Sequence, residues 1–483
     1  MRILWGNELT RIYDIAVFGS GFAGSLIAMI AKRQGYSVVL LERGKHPRIT
    51  IGESSTPLAN LLLDELATRY DLPAIKPLAK WGSWQRTHPE VACGLKRGFT
   101  FYHHELGIED TPDPEHLRQL LVAASPHDEI ADTHWYRADF DALLVREAQA
   151  LGVDYVDEVT LDNFAEDETE IRFDGTKSGE TQTYHANFAI DATSPRGFLH
   201  RALQLPEVAL PDYPATQALY SYFLNVGQPK ALDQRADQEE PPYPAENAAV
   251  HHIFDGGWIW VLRFNNGITS AGVAATEHAS NRLNLCNGER AWHRLLNLIP
   301  TLKEQFATAR ATQPFRHLPR LSFMSSRVCG ERWAMLPSSA GFVDPLLSTG
   351  FPLTLLGVSR LAQILASNWN SASFQSELQS YATQTTEELL ATSRLIRSLY
   401  ANMNNFPLFK SLSLLYFTAA SYSETARRLD KLQLAKSFLL HDHPVFGPAF
   451  NKLLDRALRV TSDRKSTRLN SSHGGISRMP SSA

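Results

Sequence analysis

The sequence predicts an α/β protein: a Rossmann-type core, an antiparallel β-sheet inserted over it, and a helical C-terminal region. A strand, a glycine turn, a helix and a second strand fill residues 12–42. From Ala218 to Ala275 the pattern is strand and turn only. Beyond Gly350 it becomes helical and stays so to about Val460.

IYDIAVFG is a hydrophobic strand, GSLIAMIAKRQG a helix ended by Gly35, and YSVVLLE a strand ending in Glu42. A helix is expected over Pro57 to Tyr70, extended chain over Thr87 to Glu105, and a helix over Phe140 to Ala150. Strands follow around Asp154–Phe164, Glu170–Phe173 and Asn187–Asp191. ALYSYFLNVG, AVHHIFDG, GWIWVLRF and TSAGVAA fit an antiparallel sheet. The polar, proline-rich run Arg235 to Asn247 reads as an exposed loop.

Bulk composition narrows the function. At 43% hydrophobic and 20% charged, the 483 residues suit a globular enzyme of several segments. The formal charge of −4 argues against nucleic acid or an anionic membrane as partner. Cys93, Cys286 and Cys329 lie far apart with no metal spacing, so reduced thiols, no metal site and a cytoplasmic location are expected. Ile15 to Ala31 carries no charge, but three glycines within it favour a turn over a membrane span. Nothing in MRILWGNELTRIYD reads as a secretory signal.

The final stretch, Asp463 to Ala483, has no hydrophobic period. DRKSTRLNSSH back-translates to a common sequencing-adapter sequence. The stretch is therefore read as a disordered artefact outside the fold, with the native C-terminus missing from about Thr461 onward.

GSGFAG places Gly19, Gly21 and Gly24 in G-x-G-x-x-G spacing between strand and helix. The first glycine permits the tight turn, the second lets a pyrophosphate approach the backbone, and the third lets helix and strand pack closely. The helix N-terminus then offers N–H groups and a positive dipole end to phosphates. Glu42, 21 residues after Gly21, can bind ribose hydroxyls, with Arg43 beside it. This context points to a dinucleotide.

Four further stretches narrow the choice: IGESSTP (Ile51 to Pro57), HWYRADFDALL with Arg137, IDATSPRGF with Asp191, and WAMLPSSAGFVDPLLSTGF with Asp344. Together they resemble the flavin-dependent halogenases, the tryptophan halogenase-like family, from about Tyr13 to Phe351 and more weakly to Val460. The resemblance implies a glutathione-reductase-like FAD-binding fold. Its segments would be an FAD-binding part at 12–215, a β-sheet substrate-side part at 216–325, a returning FAD-binding part at 326–370 and a helical region at 371–460. FAD would be held by the three glycines, Glu42, Arg43, Ser54, Arg137, Asp191 and Asp344. A separate flavin reductase would supply it reduced, because the sequence shows no NAD(P)H fingerprint of its own.

The resemblance also implies the chemistry. Reduced FAD and oxygen would convert a halide beside the flavin to hypohalous acid, which a tunnel leads to a lysine at the substrate. Lys96, in ACGLKRGFTF, stands at the place of that lysine. Ser348, Thr349 and Gly350 match the halide loop, for chloride or bromide. Trp258 and Trp260 match the first positions of the W-x-W-x-I-P element that walls the tunnel. They also fit plain sheet core, since a spacing of two shares one face.

There are departures. The W-x-W element ends in Leu262-Arg263. Leu347 precedes the halide loop, where tryptophan halogenases carry a glutamate, so a phenolic or pyrrole-like substrate, free or carrier-linked, is expected. Such a substrate would be activated by its own acidity or by a nearby base such as His103, His104 or His134, with His134 at the substrate. Pro337-Ser338-Ser339 replaces the Gly-Asp pair of hydroxylases. The alternative functions are an FAD-dependent aromatic monooxygenase, a geranylgeranyl-reductase-like oxidoreductase, or a non-catalytic flavin-binding relic.

Overall fold

The computed structural model describes residues 11–109, 113, 115–228, 240–366 and 371–473, with side chains to Thr461. Strand β1 (Ile12–Phe18) leads through the Gly19 turn into helix α1 (Phe22–Arg33) and strand β2 (Val38–Leu41). β1 and β2 pair in parallel from Ile15↔Val38 to Phe18↔Leu41. Phe22 to Ala31 of α1 are buried, so the uncharged run forms a strand and a core helix. Among the described residues no helix is long and apolar enough to cross a membrane.

α2 (Pro57–Arg69) begins on a side-chain cap: Thr56 accepts from the Ala59 N–H at 3.2 Å, and Pro57 opens the first turn. The short α3 (Trp81–Thr87) follows. The stretch read as extended then divides into β3 (Cys93–Lys96) and β4 (Gly98–His103), which join different sheets. β5 (Gln119–Ala123), β6 (Asp132–Trp135), α4 (Arg137–Ala150), β7 (Asp154–Val156), β8 (Thr160–Glu166), β9 (Ile171–Lys177) and β10 (Glu180–Asp191) complete the first half. The nucleotide-side sheet runs β7-β2-β1-β10-β9-β8, with Trp333–Met335 alongside β10.

The second sheet carries β11 (Thr216–Leu224), β12 (Ala249–Phe254), β13 (Gly257–Arg263) and β14 (Thr269–Thr276), in the order β11-β14-β13-β12-β4-β5. The sequence reading assigns residues 98–123 to the FAD-binding segment at 12–215; the structure places β4 and β5 here instead. β4 pairs in parallel with β12, Phe99↔Ala249 to Ile253↔His103, so the sheet is not wholly antiparallel. Burial explains the move. Phe99 and Phe101 enter the core that holds Trp258 and Trp260, while Tyr102 faces a second core formed with Ile259, Val261 and the helices up to Phe306.

Two other expectations change. Within Arg235 to Asn247, residues 235–239 lie outside the described residues, and the rest is not simply exposed: Tyr243 and Ala245 are buried. The Tyr243 hydroxyl donates to the Phe99 carbonyl at 2.7 Å, which pins the loop to β4. At the C-terminus come α5 (Gly350–Ala366), α6 (Phe374–Ala401), α7 (Phe406–Arg428) and α8 (Phe446–His473). α8 runs on as helix to His473, past Asp463 where the sequence reading begins a disordered tail. A helix already nucleated by packed residues such as Leu454 and Ala457 extends cheaply. Residues 474–483 lie outside the described residues.

Candidate active site

A cavity of 890 Å³ is lined from both sheets. The glycine turn forms part of its wall. Gly19 has φ +91°, and a Cβ there would lie 2.7 Å from the Ala192 carbonyl oxygen. A Cβ on Gly24 would lie 1.9 Å from the Gly19 carbonyl oxygen, so this glycine serves close packing and is not on the cavity wall. Gly21 starts α1 without a side-chain cap, leaving first-turn N–H groups open at the wall.

Glu42 and Arg43 line the cavity as well. Glu42 Oε2 accepts from Ser20 N–H (2.9 Å), Ser20 Oγ (3.0 Å) and Arg48 Nη2 (3.1 Å), and Oε1 from Gly44 N–H (2.8 Å). Burial raises its pKa, but Arg48 and these donors outweigh burial and hold the carboxyl below its ordinary range. Arg137 lines the wall as well, fixed by two 2.8 Å bonds to Asp141 and one of 2.9 Å to the Gly52 carbonyl. Arg48, Glu53 and Ser54 are wall residues, and their Nε, Oε1 and Oγ atoms are buried without a protein partner. Uncapped N–H groups, a ribose-competent carboxylate and unpartnered polar atoms fit a long polar dinucleotide such as FAD. Asp191 is not on the wall: its carboxylate accepts from Thr193 and from Leu199 N–H and shapes the turn behind it.

Ser348, Thr349 and Gly350 also line the cavity, where α5 begins. Leu347 and Ser348 take φ of 63° and 55°, a bend that side chains other than glycine rarely adopt. A Cβ on Gly350 would meet nothing within 4 Å. Asp344 braces the bend: Oδ1 accepts from Leu346 N–H at 3.0 Å, and Oδ2 from the Tyr400 hydroxyl at 2.9 Å. Tyr400 in turn accepts from Trp258 Nε1 at 3.2 Å. Burial pushes Asp344 up to about 7, against these donors.

Trp258 and Trp260 share one face of β13, with ring centres 5.7 Å apart, and are both cavity wall and core. Trp258 stacks on His251 (5.2 Å), and His251 on Phe101 (4.6 Å) and Phe99 (5.9 Å). Lys96 Nζ lies 3.8 Å over the Phe99 ring and donates to the Ser55 carbonyl. Lys96 is wholly buried and does not reach the cavity wall, which ends at His251 on this side. Burial lowers its pKa to about 7, with Asp132 opposing the shift.

The histidines expected as bases lie elsewhere. His134 is buried off the wall, Nε2 bonding the Ala248 carbonyl at 3.2 Å, and burial lowers its pKa to about 3. His103 Nε2 bonds the Met403 carbonyl at 3.1 Å, and His104 faces His252 at 2.9 Å. Among the wall groups that the sequence reading did not assign to the site are His251, Glu53 and Arg48. Glu53 was visible inside IGESSTP, but nothing local marks its burial. That burial raises its pKa to about 7, against the Ser270 and Tyr222 hydroxyls and Arg137. The Arg263 departure is structural: its guanidinium donates to the Val226 and Gly227 carbonyls and ties β13 to the chain after β11.

Fold and cavity together define an FAD-dependent oxidoreductase of the Rossmann type. The tryptophan halogenase profile matches residues 132–410, more than half of the sequence, and the chain belongs to that family of flavin-dependent halogenases. It is 28% identical over 423 residues to the tetracycline 7-halogenase of Kitasatospora aureofaciens, covering 85% of this chain and 74% of that protein. It is 27% identical over 384 residues to the monodechloroaminopyrrolnitrin halogenase PrnC of Pseudomonas fluorescens, covering 78% of this chain and 66% of that protein. The crystal structure of halogenase PltM in complex with phloroglucinol and FAD shares the fold, with a TM-score of 0.80 at 23% identity over 94% of this chain and 92% of that one.

Proposed function

We propose that this protein halogenates an electron-rich aromatic, phenolic or pyrrole-like and free or carrier-linked, using reduced FAD, oxygen and chloride or bromide. The observation that carries the reading is the start of α5. A halide needs N–H donors in a dry pocket, and the open face of Gly350 beside buried Thr349 leaves room for an anion against the backbone at the cavity wall. When bound, reduced FAD with oxygen supplies the two-electron oxidation that turns halide into hypohalous acid and water. The chain's residues do the rest. Gly19, Gly21, Glu42, Arg43, Ser54 and Arg137 hold the cofactor, while Gly24 and Asp191 shape the turns beneath it. Asp344 and Tyr400 hold the halide loop in place. Lys96, buried behind the Trp258–His251 stack and off the cavity wall, is the amine assigned to guide the oxidant to the substrate ring, a role that requires a passage to open through that aromatic layer. Substitution then replaces a ring hydrogen with halogen and releases water.

A phenolic substrate is supported by Leu347 in place of a carboxylate and by the relationship to a tetracycline halogenase. The test combines purified protein, FAD, a separate flavin reductase with NADH, oxygen, bromide and resorcinol. A product heavier by one bromine for hydrogen is expected. A hydroxylated product without bromine would overturn the reading in favour of a monooxygenase.

A further inference from the structure

We propose that Asp132 is a positioning residue that sets the charge on the Lys96 amine through a Lys80–Asp132–Lys96 array, buried except at Lys80; this rests on the role proposed for Lys96. β3 and β6 pair antiparallel in the register Lys96↔Asp132, so the two side chains leave the same face as direct neighbours. Both residues have no exposed surface. Asp132 Oδ1 accepts from Asn60 Nδ2 at 2.9 Å and lies 3.6 Å from Lys80 Nζ. Asp132 Oδ2 is buried with no hydrogen-bond partner. A buried carboxylate left half-satisfied is costly unless nearby cations use its charge; Lys80 stands at ion-pair distance and Lys96 is its cross-strand neighbour.

The surroundings leave Asp132 alone in that task. Lys96 is faced by Asp132 and His134 from β6, His251 from β12, the Ser55 carbonyl ahead of α2 and the Phe99 ring from β4. Burial keeps both histidines neutral near pH 7. Around Asp132 stand Lys80 ahead of α3, Asn60 of α2 and Glu424 of α7. Asp132 thus holds Lys96 toward its ammonium form, which donates hydrogen bonds, and away from the free amine, which is a nucleophile. Lys80, with 30% of its side chain exposed, competes for the same carboxylate and weakens that hold.

The two flanking charges therefore have opposite effects. The experiment follows the Lys96 titration by NMR of the FAD-loaded protein labelled with 13Cε-lysine, its signal assigned by loss in Lys96→Met. Asp132→Asn is expected to lower the Lys96 midpoint by about one pH unit or more, and Lys80→Met to raise it. The limb of the halogenation pH profile that follows Lys96 should move in the same two directions. A purely structural role for Asp132 would change stability but leave the Lys80→Met midpoint where it was. Unmoved midpoints overturn the inference, and Lys80→Met reads it even if Asp132→Asn fails to fold. Continued halogenation by Lys96→Ala with shifted midpoints would instead sink the role of Lys96 and leave the array standing.

Discussion

The Tyr400 hydroxyl donates a 2.9 Å hydrogen bond to Asp344 Oδ2, joining α6 to the loop that opens α5. Trp258 Nε1 donates to the same hydroxyl, so a sheet, a helix and the candidate halide loop meet at one oxygen. Tyr400→Phe removes the donor from a buried carboxylate and the acceptor from a buried indole. It is expected to cost about 1–3 kcal/mol of stability and to weaken halide use. Urea unfolding, and halogenation against bromide concentration, check both effects.

Gly350 and Gly24 separate space for a ligand from space for packing. Gly350→Ala meets no protein atom within 4 Å, so the melting temperature should hold while bromide is used more weakly. Gly24→Ala drives a methyl to 1.9 Å from a backbone oxygen. It should destabilise the fold by about 1–3 kcal/mol and abolish FAD binding. Thermal melts with flavin fluorescence distinguish the two outcomes.

Glu53 is predicted to make stability fall as pH rises. Its folded pKa is raised from 4.5 to about 7, so between those values the folded state holds a proton that the unfolded state has lost. The cost is absent below 4.5 and complete above 7. Glu53→Gln should remove this slope and gain on the order of 3 kcal/mol at pH 8, read by urea midpoints across pH. Asp344, raised in the same window, keeps its own share of the slope.

Lys96 should show the opposite slope. Its folded pKa is lowered from 10.5 to about 7, so the unfolded state binds the extra proton between those values and stability rises with pH there. Lys96→Met should flatten that rise. In catalysis the variant should lose halogenation by ~100-fold or more while flavin-dependent oxygen consumption continues. Unchanged halogenation in a mass-spectrometric assay would remove Lys96 from the mechanism.

The sequence by itself determined the features that depend on near neighbours. The Gly19 turn, the Gly24 contact, the Thr56 cap and the shared face of Trp258 and Trp260 follow from spacing and backbone sterics within a few residues. Tertiary structure decided what depends on partners distant along the chain. His134 resembled a substrate base but is packed against Ala248, and β4 lies in the second sheet because Phe99 and Phe101 needed that core. The Asp344–Tyr400 bond spans 56 residues, and the charges of Glu53, Asp132 and Lys96 are set by burial. Burial and the dielectric around a charge belong to the packed assembly, so no local pattern carries them.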